Sequence, residues 1–261
     1  MFFLLIKDLP RFRKIKILQS MVTYGIICCI MLCITKECGR LFPCRERIKM
    51  DKSKKKKGLF LVFEGLDGSG KSTHVRLLSK KLRAQGHVCY ETREPTDGPV
   101  GATVHHCMTG RLAADPNTIA ALFAADRTDH VFNAYNGILS KVENGVTVLT
   151  DRYALSSLAY NGSEVPLRWV KQLNSRVMEV LPPDCTIFID IDPRLAMNRI
   201  GKRDVKEKYE TEAMLKIVRE RYMELMEKHY PRGPYVIVNG DNDIETVSEA
   251  IWTGLKEKGI V

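Results

Sequence analysis

Apolar residues along the chain follow two rhythms. Five short runs are nearly continuous: FLVF at 60–63, HVCYET at 87–92, GVTVLT at 145–150, TIFID at 186–190 and YVIVN at 235–239. Runs this short, bounded by Gly, Pro, Asn or Asp, predict strands buried on both faces, as in a parallel sheet. Between them the spacing changes to three and four. Val75, Leu78 and Leu82 share one helical face, with Gly86 as the stop. Asp115-Pro116 supplies an N-cap and an N1 proline for a long helix reaching about Glu143, where Asn144-Gly145 ends it. On that helix Ala121, Leu122 and Ala125 are expected against the sheet. Further helices are predicted over 168–180, from Asp192-Pro193 to Arg199, up to about His229, and over 244–258. Strands alternating with helices predict an α/β fold: a single domain over about 58–258, with a five-stranded parallel sheet flanked by helices.

The first 49 residues stand apart. They hold 10 of the 41 basic and 3 of the 31 acidic residues, leaving only +3 of the net +10 for the rest. The basic balance is therefore weak support for nucleic-acid binding by the body, and no nucleic-acid partner is expected. Residues 17–35 carry no charge and are long enough to cross a bilayer, behind a basic flank that favours the cytoplasmic side. Three readings stay open: a membrane anchor, a targeting segment, and a leader that is not made. In the last, favoured here, the product starts at Met50, followed by a basic solvated segment to Lys57. Five of the eight cysteines lie in this leader, at 28, 29, 33, 38 and 44. Cys89, Cys107 and Cys185 are too scattered for a zinc or disulfide framework and read as thiols of a reducing, cytoplasmic compartment.

Chemistry begins where the first run ends. Gly65-Leu66-Asp67-Gly68-Ser69-Gly70-Lys71-Ser72 matches G-x-x-x-x-G-K-[ST], placed between a strand and a helix. Gly65, Gly68 and Gly70 let the backbone wrap an anion, and Ser69 and Thr73 complete the cradle at the helix N-terminus. Lys71 is expected on the β- and γ-phosphates and the Ser72 hydroxyl on Mg²⁺. The firmest expectation is therefore a nucleoside triphosphate, ATP, with Mg²⁺.

Other candidates sit at predicted strand ends, where α/β proteins place ligands. Arg93 follows the second strand and reads as a cation for a substrate phosphate, or as a solvated turn residue. Asp151 and Arg152 follow the third. Asp151 is expected to hold Mg²⁺ through water or to fix Arg152, and Arg152 to clamp the phosphate under attack. Phe123 and Arg127, four apart on one helix, offer a ring and a donor fork for a base, with plain core as the alternative for Phe123. The cation-rich turn at 199–208 is expected to act as a short lid.

Five blocks taken together resemble the thymidylate kinase family: FEGLDGSGKST at 63–73, TREP at 92–95, LFAADR at 122–127, DRYALSSLAY at 151–160 and PDCTIFIDIDPRLAMNRI at 183–200. The resemblance covers about residues 58–257. It implies transfer of a phosphoryl group from ATP to dTMP in a P-loop NTPase domain that forms a homodimer. By the same resemblance Phe123 stacks on the base and Arg127 bonds its carbonyl. Arg93 and Arg152 hold the dTMP phosphate, Asp67 orients the reacting region, Ser157 faces the base, and Tyr160 crowds the 2′ position. Arg199 and Arg203 correspond to lid arginines acting on ATP, with Arg203 taken as the catalytic cation and Lys202 or Arg199 behind it. The sequence departs from the family at Thr96-Asp97-Gly98, at Asn161 in place of Gln, and at Lys208-Tyr209-Glu210 in the lid. A kinase for another pyrimidine monophosphate and a nucleotide-binding regulator without activity are the competing readings.

Overall fold

Each of the five apolar runs is a strand in the computed structural model, which describes residues 57–201, 208–230 and 232–261. The strands are β1 (Phe60–Gly65), β2 (Cys89–Arg93), β3 (Thr147–Asp151), β4 (Cys185–Asp190) and β5 (Tyr235–Asn239). They form one sheet in the order β2-β3-β1-β4-β5, and every neighbouring pair is parallel. Nine helices accompany them among the described residues: α1 (Lys71–Ala84), α2 (Pro99–Met108), α3 (Pro116–Phe132), α4 (Ile138–Glu143), α5 (Ala154–Tyr160), α6 (Leu167–Val180), α7 (Pro193–Ile200), α8 (Glu212–Glu227) and α9 (Ile244–Glu257).

The central strand shows why the apolar runs are continuous. All six residues of β1 are buried. Leu61 and Phe63 face Val75 and Leu78 of α1 and Ile251 of α9. Phe60 and Val62 face the opposite way, against Val131, Val142 and Val177 of α3, α4 and α6. A third cluster joins Leu158 of α5 to Val218 and Tyr222 of α8 and to Phe188 of β4. Helix starts follow local chemistry. Asp115 accepts from the N–H groups of Asn117 and Thr118, Asp192 from Arg194, and Asp243 from Thr246.

Three expectations need correction. Burial on both faces holds for β1, β3 and β4, whereas the edge strands β2 and β5 are only partly buried. The helix expected to run unbroken to Glu143 is two helices, α3 and α4. Asn133 ends the first, its side-chain oxygen accepting from the N–H groups of Tyr135 and Asn136 and so offering the chain a turn instead of a further helical bond. At Gly137 a Cβ would lie 2.5 Å from the Asn133 carbonyl oxygen, so the chain turns there only on glycine. Ala125 is exposed; the buried face of α3 carries Ile119, Ala120, Ala124 and Val131 together with Asp126, Arg127 and His130. Helix α2 is an addition, opened by Pro99 at its first turn.

The leader and the lid residues at 202–207, Arg203 and Lys202 included, lie outside the described residues, as does the apolar stretch 17–35. Among the described residues no helix is long and apolar enough to cross a membrane.

This topology creates one crevice. The chain leaves β1 toward β2 and leaves β3 toward β4, so adjacent strands send their connections in opposite directions. Phe63 pairs with Asp151 in register, which brings the loop after β1 beside the loop after β3. Ligands of open α/β sheets bind at such a point.

Candidate active site

The loop between β1 and α1 is built on backbone that side chains disfavour. Gly65, Gly68 and Gly70 have φ of 144°, 78° and 92°. A Cβ on Gly65 would meet the Ile189 carbonyl oxygen at 2.5 Å, and one on Gly68 the Ala196 oxygen at 2.7 Å. The loop is thus pressed against the end of β4 and against α7. Inside it the Ser69 Oγ is buried without a protein partner. Lys71 is buried and donates to the Leu66 carbonyl at 2.7 Å. Burial and the charge of Arg152 both lower its pKa, while Asp151, Asp67 and Glu64 oppose them.

Ser72 opens α1 and its hydroxyl donates to Asp151 Oδ2 at the end of β3. The other carboxylate oxygen, Oδ1, is buried and has no protein partner. A serine hydroxyl and a carboxylate with a spare oxygen are the hard donors that Mg²⁺ takes, so these residues fit that ion. The carboxylate paired with Arg152 is Asp67, not Asp151.

Arg152 is the hub of the crevice. Its φ of 75° lies in the left-handed region, rare for a residue with a side chain, and turns the chain sharply out of β3. The guanidinium then reaches back across β1. Nη2 donates to Asp67 Oδ1 at 2.5 Å and to the Tyr160 hydroxyl at 3.2 Å. Nη1 donates to the Gly65 carbonyl at 3.2 Å and to Ser156 Oγ at 3.0 Å. Tyr160 in turn donates to Asp67 Oδ2 at 3.0 Å. Burial pushes the Asp67 carboxyl up, but the charges of Arg152 and Lys71 outweigh it and hold the group at about 2. Asp67 is therefore a carboxylate and Arg152 a fixed cation.

Beside this hub lies a cavity walled by Phe123, Arg127, Ser157, Tyr160, Met108 and Tyr209. Phe123 is half-buried and presents to it. Arg127 is fully buried, and each of its three nitrogens has protein partners. Nε and Nη2 share Glu94 Oε2 at 2.7 Å, Nη1 donates to Ser157 at 2.9 Å and to Asn174, and Nη2 also donates to the Tyr153 carbonyl at 3.1 Å. Asn161 lines the same cavity with a buried, unpartnered Oδ1.

Two predicted residues lie apart from it. Arg93 lies in register with Asp151, but its side chain is 61% exposed, pairs with Asp97 at 2.7 Å, and lines a neighbouring cleft with Ser72 and Arg76. Arg199, at the end of α7, lines a third cleft with Gly68, Ser69, Thr73 and His74. It donates weakly to the carbonyls of Gly68 and Gly240 at 3.4 and 3.3 Å.

Several residues central to this arrangement carry little or no local signal. Glu64, buried within β1, accepts four hydrogen bonds. Glu94 braces Arg127 and His130, Asn174 reaches Arg127 from α6, and Tyr209 and Tyr222 wall the crevice from beyond the lid. Only Glu64, a charge inside an apolar run, and Glu94, beside the expected Arg93, were open to suspicion from sequence.

Comparison with known proteins gives a consistent match. Residues 63–251 match the family model described as thymidylate kinase. The chain is 37% identical over 198 residues to a probable thymidylate kinase of Caldivirga maquilingensis, covering 73% of this chain and 93% of that one. It is 42% identical over 174 residues to a probable thymidylate kinase of Pyrobaculum aerophilum, covering 66% and 85%. A thymidylate kinase of Afipia carboxidovorans is 34% identical over 213 residues, covering 77% and 90%.

Proposed function

The chain belongs to the thymidylate kinase family, and from that premise we propose that it transfers the γ-phosphoryl group of ATP to the phosphate of dTMP, releasing ADP and dTDP. What supports this reading most is the position of Arg152. A half-buried, charge-fixed guanidinium stands between the phosphate-binding loop and a mostly apolar cavity whose lining suits a nucleobase.

The acceptor phosphate is already anionic, so the reaction needs no general base. An oxygen of dTMP attacks the γ-phosphorus, the bond from that phosphorus to the bridging oxygen of ADP breaks, and charge spreads over the transferring oxygens. The protein's task is to align the two nucleotides and neutralise that charge. In this reading the loop amides from Gly65 to Ser72 cradle the ATP phosphates. Lys71 leaves the Leu66 carbonyl to reach them, and Arg152 holds the dTMP phosphate in line. Phe123 and Ser157 receive the base, and the Tyr160 ring stands by the sugar. Because the donors of Arg127 are already engaged, it contributes to the base pocket by sharing a donor or by shaping the wall. Ser72 and Asp151 would hold Mg²⁺, which supplies charge neutralisation on the triphosphate when bound. Arg93 and Arg199 supply cations at the two margins, and Arg203 from the lid supplies the catalytic one. We further take the enzyme to be a homodimer in a cytoplasmic, reducing environment, with Cys89, Cys107 and Cys185 as free thiols.

A coupled ADP-release assay on the full chain, with ATP, Mg²⁺ and dTMP, dUMP, dCMP or UMP in turn, tests the reading. Turnover is expected with dTMP and at least tenfold less with UMP. ATP binding without transfer to any monophosphate would sink it.

A further inference from the structure

We propose that Glu64 is the positioning residue of Arg152, holding both the backbone that follows the arginine and the two hydroxyls against which its guanidinium rests. The inference rests on the role just given to Arg152 only for its kinetic consequences.

Glu64 is fully buried at the end of β1, in a strand whose other residues are apolar or glycine. Such a group costs several kcal/mol unless donors surround it. They do. Oε1 accepts from the N–H groups of Tyr153 and Ser156 at 3.0 and 3.1 Å. Oε2 accepts from the Ser156 hydroxyl at 2.5 Å and the Tyr222 hydroxyl at 2.9 Å. The first two bonds have a definite meaning. Helix α5 has Tyr153 at its N-cap and no side-chain cap of its own. Glu64 supplies the missing acceptor from 92 residues away, and so fixes the chain immediately after the left-handed Arg152.

The other two bonds tie two hydroxyls to one oxygen. Burial pushes the Glu64 carboxyl up, and the hydrogen bonds of Ser156 and Tyr222 and the charge of Arg152 pull it back. The Ser156 and Tyr222 hydroxyls also lie 2.8 Å from each other, so each can turn its proton to Glu64 Oε2 or to its neighbour while keeping oxygen lone pairs toward Arg152. Nη1 of Arg152 donates to both, at 3.0 and 3.4 Å. Glutamine cannot reproduce this. Its amide NH₂ either faces the two backbone N–H groups, donor against donor, or faces the two hydroxyls, which must then accept from it and turn their protons toward each other or toward Arg152.

The test uses full-length Glu64→Gln and Ser156→Ala, each alone and combined with Arg152→Lys. Serine removal leaves Glu64 three donors and keeps the question answerable if Glu64→Gln fails to fold. Expected are a loss of at least tenfold in kcat/KM for dTMP with Glu64→Gln and at least threefold with Ser156→Ala, with the KM for ATP within twofold of wild type. In the Arg152→Lys background either change should cost less than twofold further. A second readout needs no substrate. In nitrogen-15 spectra the Nη1 and Nη2 signals of Arg152, identified by their loss in Arg152→Lys, should be separate in the wild type and merge in the variants through freer rotation. Retention of kcat/KM, an equal loss in both backgrounds, or unmerged signals would overturn the proposal. If the wild type fails to phosphorylate dTMP, the functional reading falls, and the guanidinium spectra still decide this one.

Discussion

Arg127 and Glu94 form a pair in which neither side chain sees solvent: Nη2 and Oε2 lie 2.7 Å apart, and the side chains are 1% and 2% exposed. The pair links α3 to the end of β2, and His130 extends it, its Nδ1 lying 2.9 Å from the other oxygen of Glu94 and its Nε2 2.8 Å from the Thr92 hydroxyl. This network walls the cavity assigned to the base. Its value is mainly visible when half is removed, because a buried charge left alone costs about 3–5 kcal/mol.

Arg127→Met should therefore lower unfolding stability by about 3 kcal/mol or more, read from urea denaturation. Glu94 would keep only His130, and Asn174 and Ser157 would each lose a donor. The same variant should raise the KM for dTMP more than the KM for ATP, since the ATP loop lies across β1. A stable variant with unchanged dTMP kinetics would show that the pair matters neither to the fold nor to the pocket.

The Asp67 carboxyl predicts a pH effect with a definite sign. Its folded pKa, about 2, lies below the ordinary value of 3.8. A depressed acid contributes stability that is fully present above 3.8 and is lost as pH falls toward 2. The shift corresponds to at most about 2 kcal/mol, because Asp67 keeps some contact with water. Asp67→Asn should flatten the decline of stability between pH 4 and 2, measured by chemical denaturation across that range. Between pH 6 and 8 the charge of Asp67 is constant, so the ratio of variant to wild-type turnover should not change with pH there.

Gly68 and Gly70 allow a test of the loop. Both have positive φ, so alanine at either position costs about 1–2 kcal/mol of backbone strain. They differ in their surroundings. At Gly70 the added Cβ meets only the His74 ring at 3.6 Å, whereas at Gly68 it meets the Ala196 carbonyl at 2.7 Å. Gly68→Ala must push the loop and α7 apart. Its KM for ATP should rise at least tenfold and clearly more than that of Gly70→Ala, with both measured by initial rates at saturating dTMP. Equal effects would mean that the contact with α7 is irrelevant to nucleotide binding.

What the chain revealed in advance was what neighbours in sequence decide. The central strands β1, β3 and β4 were legible because a strand buried on both faces is apolar at consecutive positions, and two helix starts were legible because Asp115 and Asp192 cap their own first turns. The break after Phe132 had a signal in Asn133 and Asn136-Gly137, outweighed by the apolar spacing around it. The buried face of α3 was misread at Ala125 because it carries Asp126, Arg127 and His130, polar groups that enter a core only with partners supplied by other elements. The candidate site divides in the same way. Lys71, Ser72 and Arg152 could be placed from their motifs. Glu64, Asn174 and Tyr222 could not, since their partners lie between 47 and 158 residues away.

The Ser72–Asp151 contact gives the last prediction. The two side chains are hydrogen bonded, and Asp151 Oδ1 is buried with no protein partner. An adjoining hydroxyl and carboxylate suit a small hard cation that keeps most of its water, and the two residues differ in what they would bring to it. Asp151 brings charge, Ser72 a neutral hydroxyl. Asp151→Asn keeps the shape and removes the charge, so it should raise the Mg²⁺ concentration for half-maximal turnover at least tenfold. Ser72→Ala should raise it by a smaller factor, and it would free Asp151 Oδ2 to bind the ion through water. Magnesium titrations of initial rate at fixed ATP separate these cases. A turnover maximum reduced in both variants at an unchanged Mg²⁺ midpoint would mean that these oxygens organise the loop and do not hold the ion.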